Sequence, residues 1–138
     1  MIPLNPGPYQ ISQPNQNFLT MGDQIVGDPL TLVPPSDNPG EQEWHLDIRF
    51  GDSVTLKNLK SGRYVGVRGE PKEGSEIVVN PGPFQLKLEA TEQRNSCFIY
   101  VESNDQRLYI NPSPVKLESR RCVLTPRPEE PWQFAFME

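Results

Sequence analysis

Trp44-His45-Leu46-Asp47-Ile48 is the first of three similar stretches that decide the fold of this chain. The second is Phe84-Gln85-Leu86-Lys87-Leu88, and the third is Trp132-Gln133-Phe134-Ala135-Phe136. Each begins with a large aromatic residue and then alternates apolar with other residues over five positions. Such alternation is typical of a half-buried β-strand, because successive side chains point to opposite faces. Three copies in 138 residues indicate an internal repeat.

Three further apolar runs, separated by turn-forming residues, precede each of these stretches. The strands predicted in this way cover 9–11, 17–21, 29–33 and 44–48, then 53–58, 63–67, 76–79 and 84–88, then 97–101, 107–110, 122–125 and 132–136. Aligning the copies makes Tyr9, Val54 and Phe98 equivalent, at separations of 45 and 44 residues. Most of the 16 prolines and 10 glycines lie between the runs, as expected for short strands joined by turns.

Twelve strands in three units of four restrict the all-β architecture. A propeller needs roughly four to eight four-stranded units, so three are too few. The sequence therefore predicts a β-trefoil, in which a six-stranded barrel is covered by a cap of three hairpins. One domain spanning residues 1–138 is expected, with lobes at approximately 7–50, 51–91 and 95–138.

The phase of the repeat also predicts the core. Trp44, Phe84 and Trp132 are expected to open the last strand of each lobe. Leu46, Leu86 and Phe134 are expected to fill the barrel interior. The first strands are expected to add Ile11, Leu56 and either Ile99 or Tyr100.

Composition limits the partners and the compartment. A net charge of −5 argues against binding the phosphate backbone of a nucleic acid. No apolar stretch approaches the roughly 18 residues of a membrane span, and the N-terminus does not resemble a signal peptide. A monomer is expected, cytoplasmic or secreted without a visible signal peptide, with Cys97 and Cys122 reduced.

Residues typical of catalysis or metal binding are sparse. The chain has one histidine, His45, which is predicted to face solvent because Trp44 and Leu46 face the core. One histidine and two cysteines give no zinc-binding spacing, and no glycine-rich phosphate loop leads into a helix. We therefore expect a binding protein and not an enzyme, without a metal or other cofactor and with its function in the loops.

With three lobes, the opening Gly7-Pro8-Tyr9-Gln10-Ile11 and the ending Trp132-Gln133-Phe134-Ala135-Phe136, the chain resembles the β-trefoil protease inhibitors of mushrooms. These comprise the mycospins, which inhibit serine proteases, and the mycocypins, which inhibit cysteine proteases. The resemblance implies a protein that binds a target protease through exposed loops, in fungal defence or regulation. Serine proteases are the favoured target, because the turn 13–16 lacks the glycine pair associated with the mycocypin mode.

The mycospin resemblance implies a reactive site in the loop between the second and third strands, at 21–28. Trypsin-type inhibitors place Lys or Arg at the primary contact, but this loop has no basic residue, so another protease would be selected. The remaining candidates lie in the proline-containing insertion 111–121, with the basic turn 58–63 as a third region. The candidate contact residues are Met21, Gln24, Ile25, Val26, Arg120 and Arg121.

A second resemblance is to ricin-B-like lectins, which also have the β-trefoil fold. It rests on Gln42-Glu43-Trp44, a match to the Gln-x-Trp element of those lobes. It implies glycan binding, with Asp23, Asp28 and Asn38 as the polar candidates in the first lobe. A trefoil that binds other proteins, as cytokine-like and actin-bundling trefoils do, is a third possibility.

Overall fold

The computed structural model describes residues 2–115 and 119–137, which form twelve β-strands and one 3-10 helix. The first lobe contains β1 (Gly7–Ser12), β2 (Phe18–Thr20), β3 (Thr31–Val33) and β4 (Trp44–Ile48). The 3-10 helix η1 (Phe50–Asp52) leads into β5 (Val54–Asn58), β6 (Tyr64–Val67), β7 (Ile77–Asn80) and β8 (Lys87–Ala90). The third lobe contains β9 (Ser96–Ser103), β10 (Gln106–Pro112), β11 (Arg120–Thr125) and β12 (Trp132–Phe136).

Six strands close into a barrel. Antiparallel pairing runs from β1 to β4 to β5, and from β8 through β9 and β12 back to β1. The ring closes between β5 and β8, where Val54 and Leu86 exchange two backbone hydrogen bonds of 2.8 Å. Closure removes the exposed sheet edges that would otherwise pair with other chains.

The other six strands form three hairpins that cap the barrel: β2–β3, β6–β7 and β10–β11. Each hairpin meets its neighbours, through the pairing of β3 with β11 and through the bridges Pro29–Val78 and Glu76–Val123. A six-stranded barrel with a three-hairpin cap confirms the predicted β-trefoil.

The barrel interior contains the predicted leucines and phenylalanine. Leu46 and Leu86 are fully buried and Phe134 is 1% exposed. On the first strands, Leu56 pairs with Leu46 and Ile11 pairs with Phe134.

The predicted register of the third lobe was wrong by one or two residues. Leu88 lies opposite Ile99, which places Leu86 level with Val101. Val101 is therefore the counterpart of Ile11 and Leu56, although Ile99 and Tyr100 are also buried. By the same register Ile99, and not Phe98, corresponds to Val54. A slip of one residue matters because it moves a side chain to the opposite face of a strand.

Two of the three aromatic residues behave as predicted. Trp44 and Trp132 open β4 and β12 and are at most 1% exposed. Their indole N–H groups donate to the carbonyl oxygens of Leu19 (3.0 Å) and Ile110 (2.9 Å). Phe84 departs from the prediction: β8 begins only at Lys87, and Phe84 is a half-buried residue ahead of it. A phenyl ring has no N–H with which to make the equivalent bond.

Both cysteines are buried free thiols. Burial raises the pKa of Cys97 from 9.0 to about 11 and that of Cys122 to about 12. Because the thiolate is the nucleophile, both groups are protected from reagents while the protein is folded.

We expect the free energy of unfolding to fall as the pH rises from about 9 to about 12. A thiol whose pKa is raised by folding stabilises the protein below its unfolded pKa, and this contribution is lost as the pH approaches the folded value. Urea denaturation across this range measures the effect. Since burial also raises the pKa of Tyr9, the comparison is with Cys122→Ala, which should show a shallower fall. If the free energy of unfolding fell equally steeply with pH in both proteins, Cys122 would not contribute to the fall.

Among the residues that the structure describes, no helix has the length and apolar character needed to cross a membrane.

Candidate functional site

The predicted protease-contact residues of the loop between β2 and β3 differ in how exposed they are. Met21 is fully buried, so its side chain cannot meet a partner surface. Gln24 is half-buried, accepts a hydrogen bond from the Gly22 N–H and donates to the Pro29 oxygen at 3.4 Å. Ile25 and Val26 are exposed, at 70% and 42%.

The two candidate arginines lie on β11 and have structural contacts of their own. Arg120 Nε donates to the Ser113 oxygen at 2.9 Å. Arg121 Nη1 pairs with Glu76 Oε2 at 3.1 Å, which ties β11 to the β6–β7 hairpin of the second lobe. Part of the predicted insertion 111–121, residues 116–118, lies outside the described residues.

The Gln-x-Trp element supports the first lobe from within. Gln42 is 3% exposed, and its Nε2 donates to Thr20 Oγ1 at 3.1 Å and to the Pro34 oxygen at 2.9 Å. Its Oε1 accepts the Ser36 N–H at 3.0 Å. With these bonds made and the Trp44 indole bound to Leu19, neither side chain is available to a ligand.

The other lobes place an amide in the same structural role from different sequence positions. In the second lobe Asn80 donates to the Gly82 oxygen at 2.8 Å. In the third lobe Asn111 donates to the Arg127 oxygen at 2.9 Å. Each amide thus fixes the loop that leads to the last strand of its lobe, as Gln42 does in the first.

Four polar side chains converge on the surface of the first lobe, and we call them the lobe-one cluster: Asp23, Asn38, Glu41 and Lys60. Lys60 Nζ lies 2.7 Å from Glu41 Oε2 and 3.3 Å from Asp23 Oδ1. Asn38 Nδ2 donates to the other oxygen of Glu41 at 3.3 Å. The hydrogen bonds to Glu41 and Asp23 raise the pKa of Lys60 above 10.5, so it is an ammonium at neutral pH.

Three loops from two lobes supply this cluster. Hydrogen bonds between a side chain and the backbone hold these loops together. Asn58, at the end of β5, donates to the Glu41 oxygen at 3.2 Å and accepts the Lys60 N–H at 3.1 Å. Gly40 has a φ of +82°, and a Cβ there would lie 2.9 Å from the Lys60 backbone nitrogen. The approach of the β3–β4 loop to the β5–β6 turn therefore requires glycine at position 40.

A concave surface of about 670 Å³ adjoins the cluster at Lys60. Facing residues of β4, β5 and β6 line it, since His45 pairs with Lys57 and Lys57 with Tyr64. His45 is half-exposed, as predicted, and its Nε2 lies 3.3 Å from Asp47 Oδ1. Tyr64 adds a half-buried aromatic ring.

Sequence reasoning found part of this cluster. The lectin candidates Asp23 and Asn38 lie in the cluster. Asp28 lies outside it, and the Asp28 carboxylate accepts the Ile25 N–H at 3.0 Å. Glu41 and Lys60 were missed as site residues. Lys60 lies in the turn 58–63, which the sequence distinguishes only by its positive charge, and nothing in its spacing points to Glu41, 19 positions away.

Within residues 2–115 and 119–137, no three His, Cys, Asp or Glu side chains are grouped in a way that could hold a metal ion.

No protein-family model and no curated protein matches the sequence. The fold matches solved structures over almost its full length. A ricin B-like lectin from Macrolepiota procera, solved in complex with lactose, matches with a TM-score of 0.80 and 19% identity, over 97% of this chain and 99% of the lectin. The Rhizoctonia solani agglutinin matches with a TM-score of 0.77 and 22% identity, over 99% of both chains. ThreeFoil, a designed three-fold symmetric protein, gives a TM-score of 0.77 at 10% identity, over 95% of this chain and 99% of ThreeFoil.

These matches correct the leading functional prediction. The resemblance to mushroom protease inhibitors gave the right fold, but the most similar of these structures are a ricin B-like lectin and an agglutinin. Protease inhibition is therefore the wrong assignment, and the ricin-B-like resemblance is the one supported. At 19% and 22% identity the matches establish the architecture: this chain has the β-trefoil fold of ricin-B-like lectins.

Proposed function

We propose that this protein binds carbohydrate, without catalysis, through the lobe-one cluster. The observation that carries the proposal is the convergence of Asp23, Asn38 and Glu41 on the Lys60 ammonium. The lectin neighbours support it, one of them having been solved with lactose.

Sugar hydroxyls donate and accept hydrogen bonds, so a sugar site needs both kinds of partner close together. The carboxylates of Asp23 and Glu41 accept hydrogen bonds, whereas Lys60 and Asn38 donate them. Bonds in which one partner is charged are roughly twice as strong as neutral ones. The side chain of Asp23 is 97% exposed, which leaves room for a sugar to share the cluster.

The adjoining concave surface extends the proposed site. The aromatic ring of Tyr64 offers an apolar face on which the C–H groups of a sugar ring can pack. Lys60 lines both regions, so an oligosaccharide longer than one sugar could contact both.

A glycan array followed by calorimetry on the best glycan tests this proposal. We expect Asp23→Asn to weaken binding about tenfold, the loss expected when a charged hydrogen bond is removed. Because Asp23 is almost fully exposed, the melting temperature should not change. Lys60→Met should weaken binding at least as much.

Asp105→Asn is the matched control, because it makes the same charge change in the β9–β10 turn of the third lobe. It should bind as the unchanged protein does. An array without a binding glycan would refute carbohydrate binding, and equal affinity of Asp23→Asn and Asp105→Asn would refute the site.

A further inference from the structure

The end of the barrel opposite the cap has a cavity of about 600 Å³, which we call the base cavity. Strand β1 begins at this end and β12 ends there, whereas the other end of β1 pairs with β2 of the cap. Residues of the N-terminal segment 2–5 and of the segment 90–97 line the cavity, together with Tyr9 and Phe136. Its volume lies within the range of about 300–1,000 Å³ that is usual for small-molecule sites.

The N-terminal segment 2–5 forms one wall of the base cavity and is fastened to the barrel. The side chain of Leu4 is 5% exposed. The Tyr9 hydroxyl donates to the Asn5 oxygen at 2.7 Å. The Phe136 ring packs edge-on against the Tyr9 ring at a centroid distance of 5.4 Å. Leu4, Tyr9 and Phe136 therefore give the cavity fixed apolar walls.

The loop 91–95, which joins β8 to β9, forms another wall, and its backbone is fixed near both ends. The Thr91 hydroxyl donates to the Ser96 oxygen at 3.0 Å. The Phe134 N–H donates to the Asn95 oxygen at 2.8 Å. A loop that is fixed before the ligand arrives loses little conformational freedom on binding, which favours affinity.

Four exposed polar side chains of the base cavity are free to bind a ligand: Asn5, Gln93, Arg94 and Asn95. None of them makes a side-chain hydrogen bond or ion pair with another residue that the structure describes. Arg94 is the one side chain of the described lining that is ionised at neutral pH. The cavity therefore carries one positive charge, beside apolar walls and three amides.

We propose that the base cavity binds an organic monocarboxylate whose remaining part is apolar, such as a phenyl or alkyl group. The planar guanidinium of Arg94 matches a carboxylate, because two parallel N–H groups can bond to its two oxygens. One guanidinium balances one negative charge, which disfavours a phosphate monoester with its charge of about −1.5 to −2. The three free amides supply further donors, and the apolar part of the ligand packs against Leu4 and Phe136.

Calorimetry with four monocarboxylates tests this proposal: benzoate, phenylacetate, 3-phenylpropionate and octanoate. We expect at least one of them to bind. Its neutral amide should bind at least tenfold more weakly, because it cannot form the charged bond to Arg94. Acetate, which has the carboxylate without the apolar part, should also bind at least tenfold more weakly. The proposal is overturned if none of the four binds, or if the neutral amide or acetate binds equally well.

Arg94→Gln removes the positive charge and should weaken binding of the best carboxylate at least tenfold. Because Arg94 is exposed, the melting temperature should not change. Arg127→Gln is the matched control, since it makes the same change at an exposed arginine between β11 and β12. It should bind as the unchanged protein does. Equal affinity of the two variants would refute the site.

Backbone amide signals in nuclear magnetic resonance locate the ligand independently. The best carboxylate should shift signals of the loop 91–95 and leave those of Asp23 and Lys60 in place. The base cavity shares no residue with the lobe-one cluster, so Asp23→Asn should bind the carboxylate unchanged. Shifts confined to the lobe-one cluster, or carboxylate binding lost in Asp23→Asn, would overturn the site proposed here and leave carbohydrate binding to be judged by its own test.

Discussion

Replacing Trp44 with alanine is expected to lower the free energy of unfolding by about 3–5 kcal/mol, the usual cost of removing a buried tryptophan. Trp44 is fully buried, and its indole bond to Leu19 joins β4 to the hairpin β2–β3. A domain of this size has a total stability of about 5–15 kcal/mol, so the loss is a large fraction of it. Denaturation in urea measures the change.

The repeat itself provides the matched control. Phe84 occupies the corresponding place in the second lobe but is only half-buried, so Phe84→Ala should cost about 1 kcal/mol. Trp44→Phe keeps most of the ring and leaves the buried Leu19 carbonyl without its partner, at a cost of about 1–3 kcal/mol. Equal losses for Trp44→Ala and Phe84→Ala would contradict the distinction between the two lobes.

Gly40→Ala is expected to lower the free energy of unfolding by about 2–5 kcal/mol and to weaken glycan binding by the lobe-one cluster. The φ of +82° alone costs a residue with a Cβ about 1–2 kcal/mol. The new Cβ would also lie 2.9 Å from the backbone nitrogen and 3.0 Å from the Cα of Lys60. Relieving that contact adds about 1–3 kcal/mol and moves Lys60 away from Glu41.

Gly74→Ala separates the two contributions. Gly74 has a φ of +89°, and a Cβ there would meet no atom within 4 Å, so this variant carries the conformational cost without the collision. It should lose about 1–2 kcal/mol and retain full glycan binding. If both variants lost the same stability and neither lost binding, the close approach of Gly40 to Lys60 would not matter.

The alternation of apolar with other residues was the feature of the sequence that recurred in all three lobes. Burial of one strand face requires apolar residues at every second position, so the three stretches beginning at Trp44, Phe84 and Trp132 revealed both the repeat and its count. Leu46, Leu86 and Phe134 followed from their phase alone. The same logic failed at β9, where Ile99, Tyr100 and Val101 are all buried. Where three consecutive residues are all buried, the alternation does not show which of them face the barrel interior.

The candidate sites depended on contacts between residues far apart in the sequence. Asp23 and Asn38 could be named as polar loop residues, but the same residue types also serve as ordinary turn formers. Only the closed barrel brings Lys60 of the second lobe against Glu41 of the first.

The three lobes, the twelve strands and most of the barrel core could be predicted because they arise from local alternation repeated along the chain. Which polar side chains are already hydrogen-bonded within the protein could be seen only in the folded structure. Gln42 belongs to the element that suggested a lectin, and its side chain is bonded within the first lobe. Gln13 was predicted to lie in a polar turn; it is buried, and its Nε2 has no hydrogen-bond partner among the residues that the structure describes. Hydrogen bonds of this kind join loops that are far apart in the sequence and meet only when the barrel and its cap have formed.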